Sequence, residues 1–421
     1  MKTDNFKKDL SISGIGQIIV IVLTFIINKS ISIILGPNLY SEYAIINKSS
    51  AVVSFVMAMS LGIAIPKYIA SQKALSDDIG VFHYLFAALQ IVLVFSLLVI
   101  VIILSLSSNF ADLFFNSDNI GYLYGLLIFA FGTTISTIIS AYYRGIDAYV
   151  VFTSLQVFGT VMGIIPLVFV RQSITQYFIV RGIGLIFISI ILYHRIFKKY
   201  MGLLIGTRSI SIDKSIYQKL LVFSLPRIPG EFILFSLSAL PLIIINRRFG
   251  NYATASLATS LGLVGSITPF FSIIGTMLLP YVSKSVALGT TSLMQKRVTI
   301  LILLYIILAG ISILLIYTIP KFFIYILFSS EYYQFANEVR IISISTLFQS
   351  LYLLLRNPID AVSKIPFNTF NLMVTFIILI FVLTILDNLT AICWGINFAF
   401  MILGLNSLIT WKLISRKLKI E

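Results

Sequence analysis

Long apolar runs separated by short polar segments follow one another along the whole chain. Each run has about 17–27 residues, enough for a helix to cross the ~30 Å hydrocarbon core of a bilayer. The runs are continuously apolar, whereas the strands of a membrane barrel would alternate between apolar and polar positions. The pattern therefore predicts an all-α polytopic membrane protein with twelve transmembrane helices. These are residues 10–35, 43–65, 82–106, 120–142, 150–170, 175–193, 220–245, 253–279, 298–319, 339–355, 367–386 and 389–411.

A polar segment at residues 194–219 divides these helices into two sets of six, and the two sets resemble each other. A Leu-Gly pair ending at Gly36 is matched by Phe-Gly ending at Gly250, and Pro66 by Pro280, both at an offset of 214 residues. Residues 144–148 are answered by 356–361, close to the same offset. Repeated motifs in one order predict a duplicated unit. The predicted organisation is an N-terminal lobe (1–194), a basic cytoplasmic linker (195–219), a C-terminal lobe (220–411) and a basic cytoplasmic tail (412–421).

The positions of the cations predict the orientation in the membrane. With the N-terminus in the cytoplasm, 21 of the 30 lysines and arginines lie in cytoplasmic segments and four lie in outer loops. Because short cytoplasmic loops carry an excess of lysine and arginine, this split predicts that both termini are cytoplasmic. The outer loops are short, so function is expected to lie among the helices.

Composition narrows the function classes. The chain is 59% hydrophobic and 11% charged, against about half and a quarter in soluble domains, so the net charge of +15 does not indicate a nucleic-acid partner. The single cysteine, Cys393, and the distant His83 and His194 predict neither a disulfide framework nor a metal or cofactor site. No phosphate-binding loop, large outer loop or convincing catalytic signature occurs, so an enzyme is not expected.

Charged residues inside apolar spans are the candidate binding residues, because such charges are costly in lipid unless they are paired or face water. Lys29 and Lys48 lie at similar depths in the first two helices, each preceded by an amide residue, Asn28 and Asn47. Arg181 adds a third cation to the same half of the chain. We expect these five residues to bind the substrate, with the three cations at its anionic end. The alternative is that the long side chains snorkel to the outer interface.

A second candidate lies at the start of the seventh helix. Arg227 and Glu231 are four residues apart, so they can face each other across one turn, among Pro226, Pro229 and Gly230. The prolines weaken the helical hydrogen-bond ladder. We interpret the segment as a hinge with a gating or coupling pair, and the alternative is an ordinary interfacial kink with a local ion pair.

Several stretches resemble the bacterial polysaccharide (O-antigen repeat-unit) flippases of the multidrug/oligosaccharidyl-lipid/polysaccharide (MOP) exporter superfamily. The similar stretches are the first hairpin (35–44 and 61–70), the loop at 143–146 and the entry to the second half at 219–226.

The resemblance implies a flippase that moves undecaprenyl-pyrophosphate-linked oligosaccharide across the bacterial inner membrane by alternating access, for O-antigen or capsule synthesis. It also implies membrane lipid, a polysaccharide polymerase and a chain-length regulator as partners. Fixed cations would bind the pyrophosphate. The amides expected to bind the sugars are those of Gln17, Asn28, Asn47, Gln90 and Gln156. The alternative is a multidrug or small-cation antiporter of the same superfamily, which predicts carboxylates in the cavity.

Overall fold

The fold is built from helices alone wherever the structure describes the chain. The structure is a computed structural model that describes residues 3–116, 119–170, 173–204, 213–287, 290–363 and 365–417. The helices of the first half are α1 (Thr3–Ala58), α2 (Leu61–Ala74), α3 (Asp78–Ser105), α4 (Ser107–Phe115), α5 (Gly121–Gly145), α6 (Tyr149–Val161), α7 (Leu167–Val170) and α8 (Ile174–Leu204).

The second half repeats this helical character. Two short 3₁₀ helices, Leu225–Arg227 and Ser330–Phe335, lie between its α-helices. The α-helices are α9 (Lys214–Ser224), α10 (Ile228–Ala287), α11 (Thr291–Thr318), α12 (Pro320–Leu327), α13 (Ala336–Ser343), α14 (Ser345–Val362), α15 (Phe367–Ile385) and α16 (Leu389–Lys417).

The described helices are consistent with the twelve predicted spans. Eight helical stretches are long and apolar enough to cross a membrane, and two of them, Ile15–Ala58 and Lys214–Thr268, are long enough for two crossings each. A pair bent by 46° (Ser330–Ser343 and Ser345–Val362) and the shorter apolar helix α6 supply the remaining two. The predicted fold class, an all-α multi-pass membrane protein with two helical lobes, is confirmed. The side of the membrane on which the termini lie stays a prediction.

The predicted duplication appears as the same backbone break in each half. α1 is interrupted at Gly36 (φ 65°, ψ 174°), and the stretch named α10 is interrupted at Gly250 (φ 78°, ψ −176°). The two glycines are separated by the offset of 214 residues that the sequence motifs share. Only glycine adopts this conformation readily, because it has no Cβ. Each glycine therefore ends one span and starts the next.

Two predicted spans differ in detail. The second span breaks at Met59 and Ser60, which have positive φ angles of 48° and 58°. The fifth span ends as α6, passes through a turn at 162–166 and resumes as the short α7. The turn contains Pro166, which cannot donate to a helical ladder.

The predicted linker 195–219 is partly helical. α8 extends to Leu204, and α9 begins at Lys214 after Asp213, whose carboxylate accepts a hydrogen bond from the Ser215 backbone N–H at 3.0 Å. Hydrogen bonding by the Ser215 side chain and backbone lowers the pKa of Asp213. Lysines and arginines are good helix formers, so their polarity did not end the helices. Residues 205–212 of the predicted linker lie outside the described residues.

The chain divides into two compact units. Unit 1 contains residues 1–27 and 42–239, and unit 2 contains residues 28–41 and 240–421. In unit 1, α5 and α8 cross at Gly132 and Gly182, where a Cβ added to Gly132 would lie 2.5 Å from the Gly182 carbonyl oxygen. In unit 2, α14 and α16 approach closely at Gly404, whose added Cβ would lie 2.9 Å from Phe348 Cα. Small residues let these backbones meet. The predicted lobe boundaries stay a prediction.

Candidate functional site: a cationic cavity in unit 1

A polar cavity of about 370 Å³ lies inside unit 1. Its size falls within the range of about 300–1,000 Å³ that small-molecule sites occupy. α5 and α6 form most of the wall, with Gly62 from α2 and Arg181 from α8. Among the described residues that line it, two carry guanidinium groups and none carries a carboxylate. The polar lining residues are Thr133, Ser136, Thr137, Ser140, Arg144, Gln156, Thr160 and Arg181.

One face of α5 supplies most of these groups. Thr133, Ser136, Thr137, Ser140 and Arg144 are spaced at 0, 3, 4, 7 and 11 residues, which puts them on a single helical stripe. The opposite face carries buried apolar residues of the unit 1 core. A helix in lipid can hold such a stripe only where it faces protein or water. The stripe therefore positions a polar wall inside the unit.

Arg181 occupies the end of the cavity at which α5 and α8 cross. Its guanidinium carbon lies 4.6 Å from the centre of the Phe129 ring. The Arg181 Nε atom is buried and has no hydrogen-bond partner within the described residues. A Cβ added to Gly163 would lie 3.3 Å from the guanidinium carbon, so this glycine leaves room for the charge. The Gly132–Gly182 crossing brings the backbone of Arg181 against α5 at this level.

Arg144 occupies the other end of the cavity. Its Nη2 atom donates to the Gly62 carbonyl at 2.7 Å, and its guanidinium carbon lies 5.9 Å from the Phe152 ring centre. Fifteen residues of α5 separate Phe129 from Arg144, so the two ends are about 22 Å apart along the helix axis. The cavity is therefore elongated, with one cation near each end and hydroxyl groups between them.

The threonine hydroxyls have their protons committed to the helix backbone. Thr137 donates to the Thr133 carbonyl at 2.8 Å, and Thr160 donates to the Gln156 carbonyl at 2.9 Å. Thr133 likewise donates to the Phe129 carbonyl. A hydroxyl that has donated its single proton offers the cavity only lone pairs. These threonines therefore present hydrogen-bond acceptors, while the arginines present donors.

Two binding residues proposed from the sequence line this cavity. Arg181, a predicted substrate-binding residue, lines the cavity, as does Gln156, one of the candidate sugar-binding amides. The Gln156 side-chain oxygen accepts a hydrogen bond from the Gln17 side-chain amide. This contact joins the first and fifth spans across 139 residues of sequence.

Lys29 and Lys48 belong to different compact units. Lys29, in unit 2, donates from Nζ to the Tyr325 carbonyl at 2.9 Å, and the same nitrogen lies 4.4 Å from the centre of the Tyr325 ring. Lys48 is partly buried in unit 1, where the adjacent Ser49 hydroxyl is buried without a partner among the described residues. Asn28 belongs to unit 2 together with Lys29, and Asn47 belongs to unit 1 together with Lys48; both asparagines are partly buried. A shared anion site at the two lysines stays a prediction.

The predicted hinge lies where α9 passes through the 3₁₀ turn Leu225–Arg227 into α10. Arg227 turns back toward the preceding helix, donating from Nη1 to the Phe223 carbonyl at 2.7 Å and lying 3.8 Å from the Phe223 ring centre. Lys67 lies over the same ring at 4.2 Å. Glu231 is in the first turn of α10. The proposed gating role of Arg227 and Glu231 stays a prediction.

Sequence reasoning missed the hydroxyl stripe of α5 and treated Arg144 as a cytoplasmic loop cation. The signal was present, because four hydroxyl residues and one arginine repeat at helical spacing within a span that is otherwise apolar. What the spacing alone did not show is that α6 and α8 leave space in front of this face.

The comparisons with known proteins concern the whole fold. An inward-facing multidrug resistance MATE family transporter of the MOP superfamily matches with a TM-score of 0.74 at 11% identity, over 95% of both chains. The chain has a MATE transporter fold. An outward-facing transporter of the same kind matches with a TM-score of 0.71 at 12% identity, over 98% of this chain and 97% of the other.

A eukaryotic MATE transporter also matches, with a TM-score of 0.67 at 15% identity over 98% of each chain. No family model matches the sequence, and no curated protein does. The likeness to MATE transporters concerns the fold, and membership of the MOP superfamily and of its flippase branch stays a prediction. At 11–15% identity the comparison establishes the fold, so the substrate has to be argued from the chain itself.

Proposed function

We propose that this protein is a membrane transporter of the MOP superfamily that works by alternating access. The observation that supports this most is the MATE-like fold, which extends over 95% of this chain and of its structural neighbour. Neighbours of this fold are described in both inward-facing and outward-facing conformations. Transporters built from repeated units commonly move one unit against the other around a site near the middle of the membrane. The duplicated break at Gly36 and Gly250 is consistent with such a repeat.

Export of small organic molecules is the first candidate activity. Its support is that two of the structural neighbours are described as multidrug resistance MATE family transporters. The cavity of unit 1 has the volume of a small-molecule site. It holds no carboxylate among its described lining residues, so an organic cation would have no counter-charge in this cavity.

Translocation of undecaprenyl-pyrophosphate-linked oligosaccharide across the bacterial inner membrane is the second candidate. Its support is the resemblance of residues 35–44, 61–70, 143–146 and 219–226 to polysaccharide flippases. Arginines in a cavity without carboxylates agree with an anionic substrate. The expected partners are then the lipid-linked oligosaccharide, a polysaccharide polymerase and a chain-length regulator.

A deletion strain separates the two candidates. A flippase predicts that lipid-linked repeat units accumulate on the inner leaflet and that surface polysaccharide is lost, without a change in drug sensitivity. A drug exporter predicts the reverse, namely lower inhibitory concentrations of organic cations and normal polysaccharide. If the purified protein in proteoliposomes moves neither class of substrate under an ion gradient, the transporter proposal is contradicted.

The lysines proposed from the sequence are tested in the same strain. If Lys29 and Lys48 bind the substrate anion, the Lys29→Ala, Lys48→Ala double variant loses transport at normal membrane levels. The matched control is Lys296→Ala, because Lys296 is an exposed lysine at the start of α11. Wild-type transport by the double variant would remove these lysines from the site, as expected if they only snorkel.

A further inference from the structure

The cavity of unit 1 has a chemical asymmetry that restricts its ligand. Arg144 and Arg181 offer hydrogen-bond donors and positive charge, and no described lining residue offers a compensating carboxylate. Arg144 uses one donor on the Gly62 carbonyl, and the buried Nε of Arg181 uses none within the part of the chain that the structure describes. A guanidinium carries five N–H donors in a fixed fork that matches an oxyanion.

An apolar environment makes this excess of positive charge costly. Arg181 lies inside a helix that is apolar enough to span the membrane, and its neighbour across the cavity is the face of Phe129. The ring quadrupole stabilises a cation only in part. A bound cation would add a third positive charge to the cavity, whereas a bound anion would lower the electrostatic energy. The charge therefore favours an oxyanion near Arg181.

The threonine side of the cavity favours hydrogen-bond donors on the ligand. Thr133, Thr137 and Thr160 have donated their protons to backbone carbonyls, so their oxygens can only accept hydrogen bonds from a ligand. Sulfate has no hydrogen to donate and inorganic phosphate has at most one or two, so most of these lone pairs would stay unpaired against either ion. A ligand with hydroxyl groups would satisfy them. The Gln156 side chain, whose oxygen is already bonded to Gln17, has amide N–H groups for a ligand oxygen.

We infer that the cavity of unit 1 is a binding site for a hydroxylated oxyanion, such as a sugar phosphate or an acidic sugar. Arg181 binds the phosphate or carboxylate oxygens, and the threonine oxygens accept the sugar hydroxyls. The volume of about 370 Å³ accommodates such a small ligand. The inference deepens the proposed function and rests on it only for the role of the ligand as cargo, because binding itself does not require transport.

The test is a binding measurement on the purified full-length protein in detergent, by isothermal titration calorimetry. The probes are glucose 1-phosphate, glucuronate, glucose, inorganic phosphate and tetraphenylphosphonium. We expect glucose 1-phosphate and glucuronate to bind more tightly than either glucose or phosphate. Tetraphenylphosphonium is expected not to compete with glucose 1-phosphate for the cavity. Tight binding of the cation alone would overturn the inference, and so would equal affinities for phosphate and glucose 1-phosphate.

Variants locate the site. Arg181→Gln should lower the affinity for glucose 1-phosphate at least about tenfold, since it removes a charge-assisted hydrogen bond. Thr137→Val keeps the side-chain shape and removes one hydrogen-bond acceptor. It should lower the affinity for glucose 1-phosphate about 2–10-fold and leave the affinity for inorganic phosphate unchanged. The matched control is Arg340→Gln, because Arg340 lies in unit 2 and donates to the Tyr317 carbonyl at 3.0 Å. Wild-type affinity in Arg181→Gln would overturn the inference.

Two further readouts keep the result decisive. If Arg181→Gln aggregates in size-exclusion chromatography, Arg181→Lys replaces it, because lysine keeps the charge and loses the fork; intermediate affinity supports the inference and unchanged affinity overturns it. Transport is then measured separately in proteoliposomes. Intact binding without transport contradicts the proposed function alone, and intact transport without sugar-phosphate binding contradicts the present inference alone.

Discussion

The crossing of α5 and α8 is the point at which a single methyl group has the most predictable effect. A Cβ added to Gly132 would lie 2.5 Å from the Gly182 carbonyl oxygen and 3.2 Å from the Gly182 Cα. Ordinary contacts begin at about 3.4 Å, so Gly132→Ala requires the two backbones to separate by about 0.9 Å at this point. Because the obstructing atoms are backbone, no side-chain rotation relieves the contact. Overpacking of this kind costs about 1–3 kcal/mol.

The matched control is Gly310→Ala in α11. Gly310 is also within a helix, but an added Cβ there meets no atom of the described residues within 4 Å. Both substitutions gain about 1 kcal/mol of helix propensity, so the difference between them isolates the steric cost. Unit 1 has a size for which about 1 kcal/mol shifts the melting temperature by roughly 2–4 °C. Gly132→Ala should therefore melt several degrees below Gly310→Ala.

The assay is thermal unfolding of the purified variants in one detergent, monitored by size-exclusion fluorescence. A second readout follows from position, because Gly182 is adjacent to Arg181 in sequence. Separation of α5 from α8 should move Arg181 away from Phe129 and reduce sugar-phosphate binding in Gly132→Ala. Equal melting temperatures for the two variants would refute the close approach of these helices.

Three other predictions follow from the backbone, a helix end and the cation distribution. Gly250→Ala should lose roughly 1–3 kcal/mol of stability, because its φ of 78° disfavours any residue with a Cβ. Gly265→Ala in α10 is the control, since an added Cβ meets no described atom within 4 Å at either glycine and Gly265 has no such φ; equal melting temperatures would contradict this. Arg248→Ala should cost about 1–3 kcal/mol because this guanidinium bonds two carbonyls at the end of α15 at 2.6 and 2.8 Å. Asp387→Asn should cost under about 1 kcal/mol, since its carboxylate is 90% exposed, and the same unfolding assay distinguishes the two. Alkaline phosphatase fused after Lys199 should be inactive, because this segment is predicted to be cytoplasmic, and an active fusion would contradict the two-lobe organisation with a cytoplasmic linker.

The spans, their number and their duplication follow from the sequence by itself. A helix in lipid satisfies its own backbone hydrogen bonds, so its existence depends on a local run of apolar residues and not on distant partners. The breaks at Gly36 and Gly250 are similarly local, because the required backbone conformation needs glycine at that residue. Where polar residues are good helix formers, as in 195–204, the same local logic underestimated the length of α8.

The cavity and the partners of the charged residues were decided by tertiary structure. Lys29 bonds a carbonyl 296 residues away, and Gln17 meets Gln156 across 139 residues, separations at which a spacing pattern carries no distance information. Arg181 was a candidate from its charge alone, but its place beside Phe129 depends on the contact between Gly132 and Gly182. Hydropathy shows which helix faces are polar, while the space in front of a polar face depends on how closely the neighbouring helices pack.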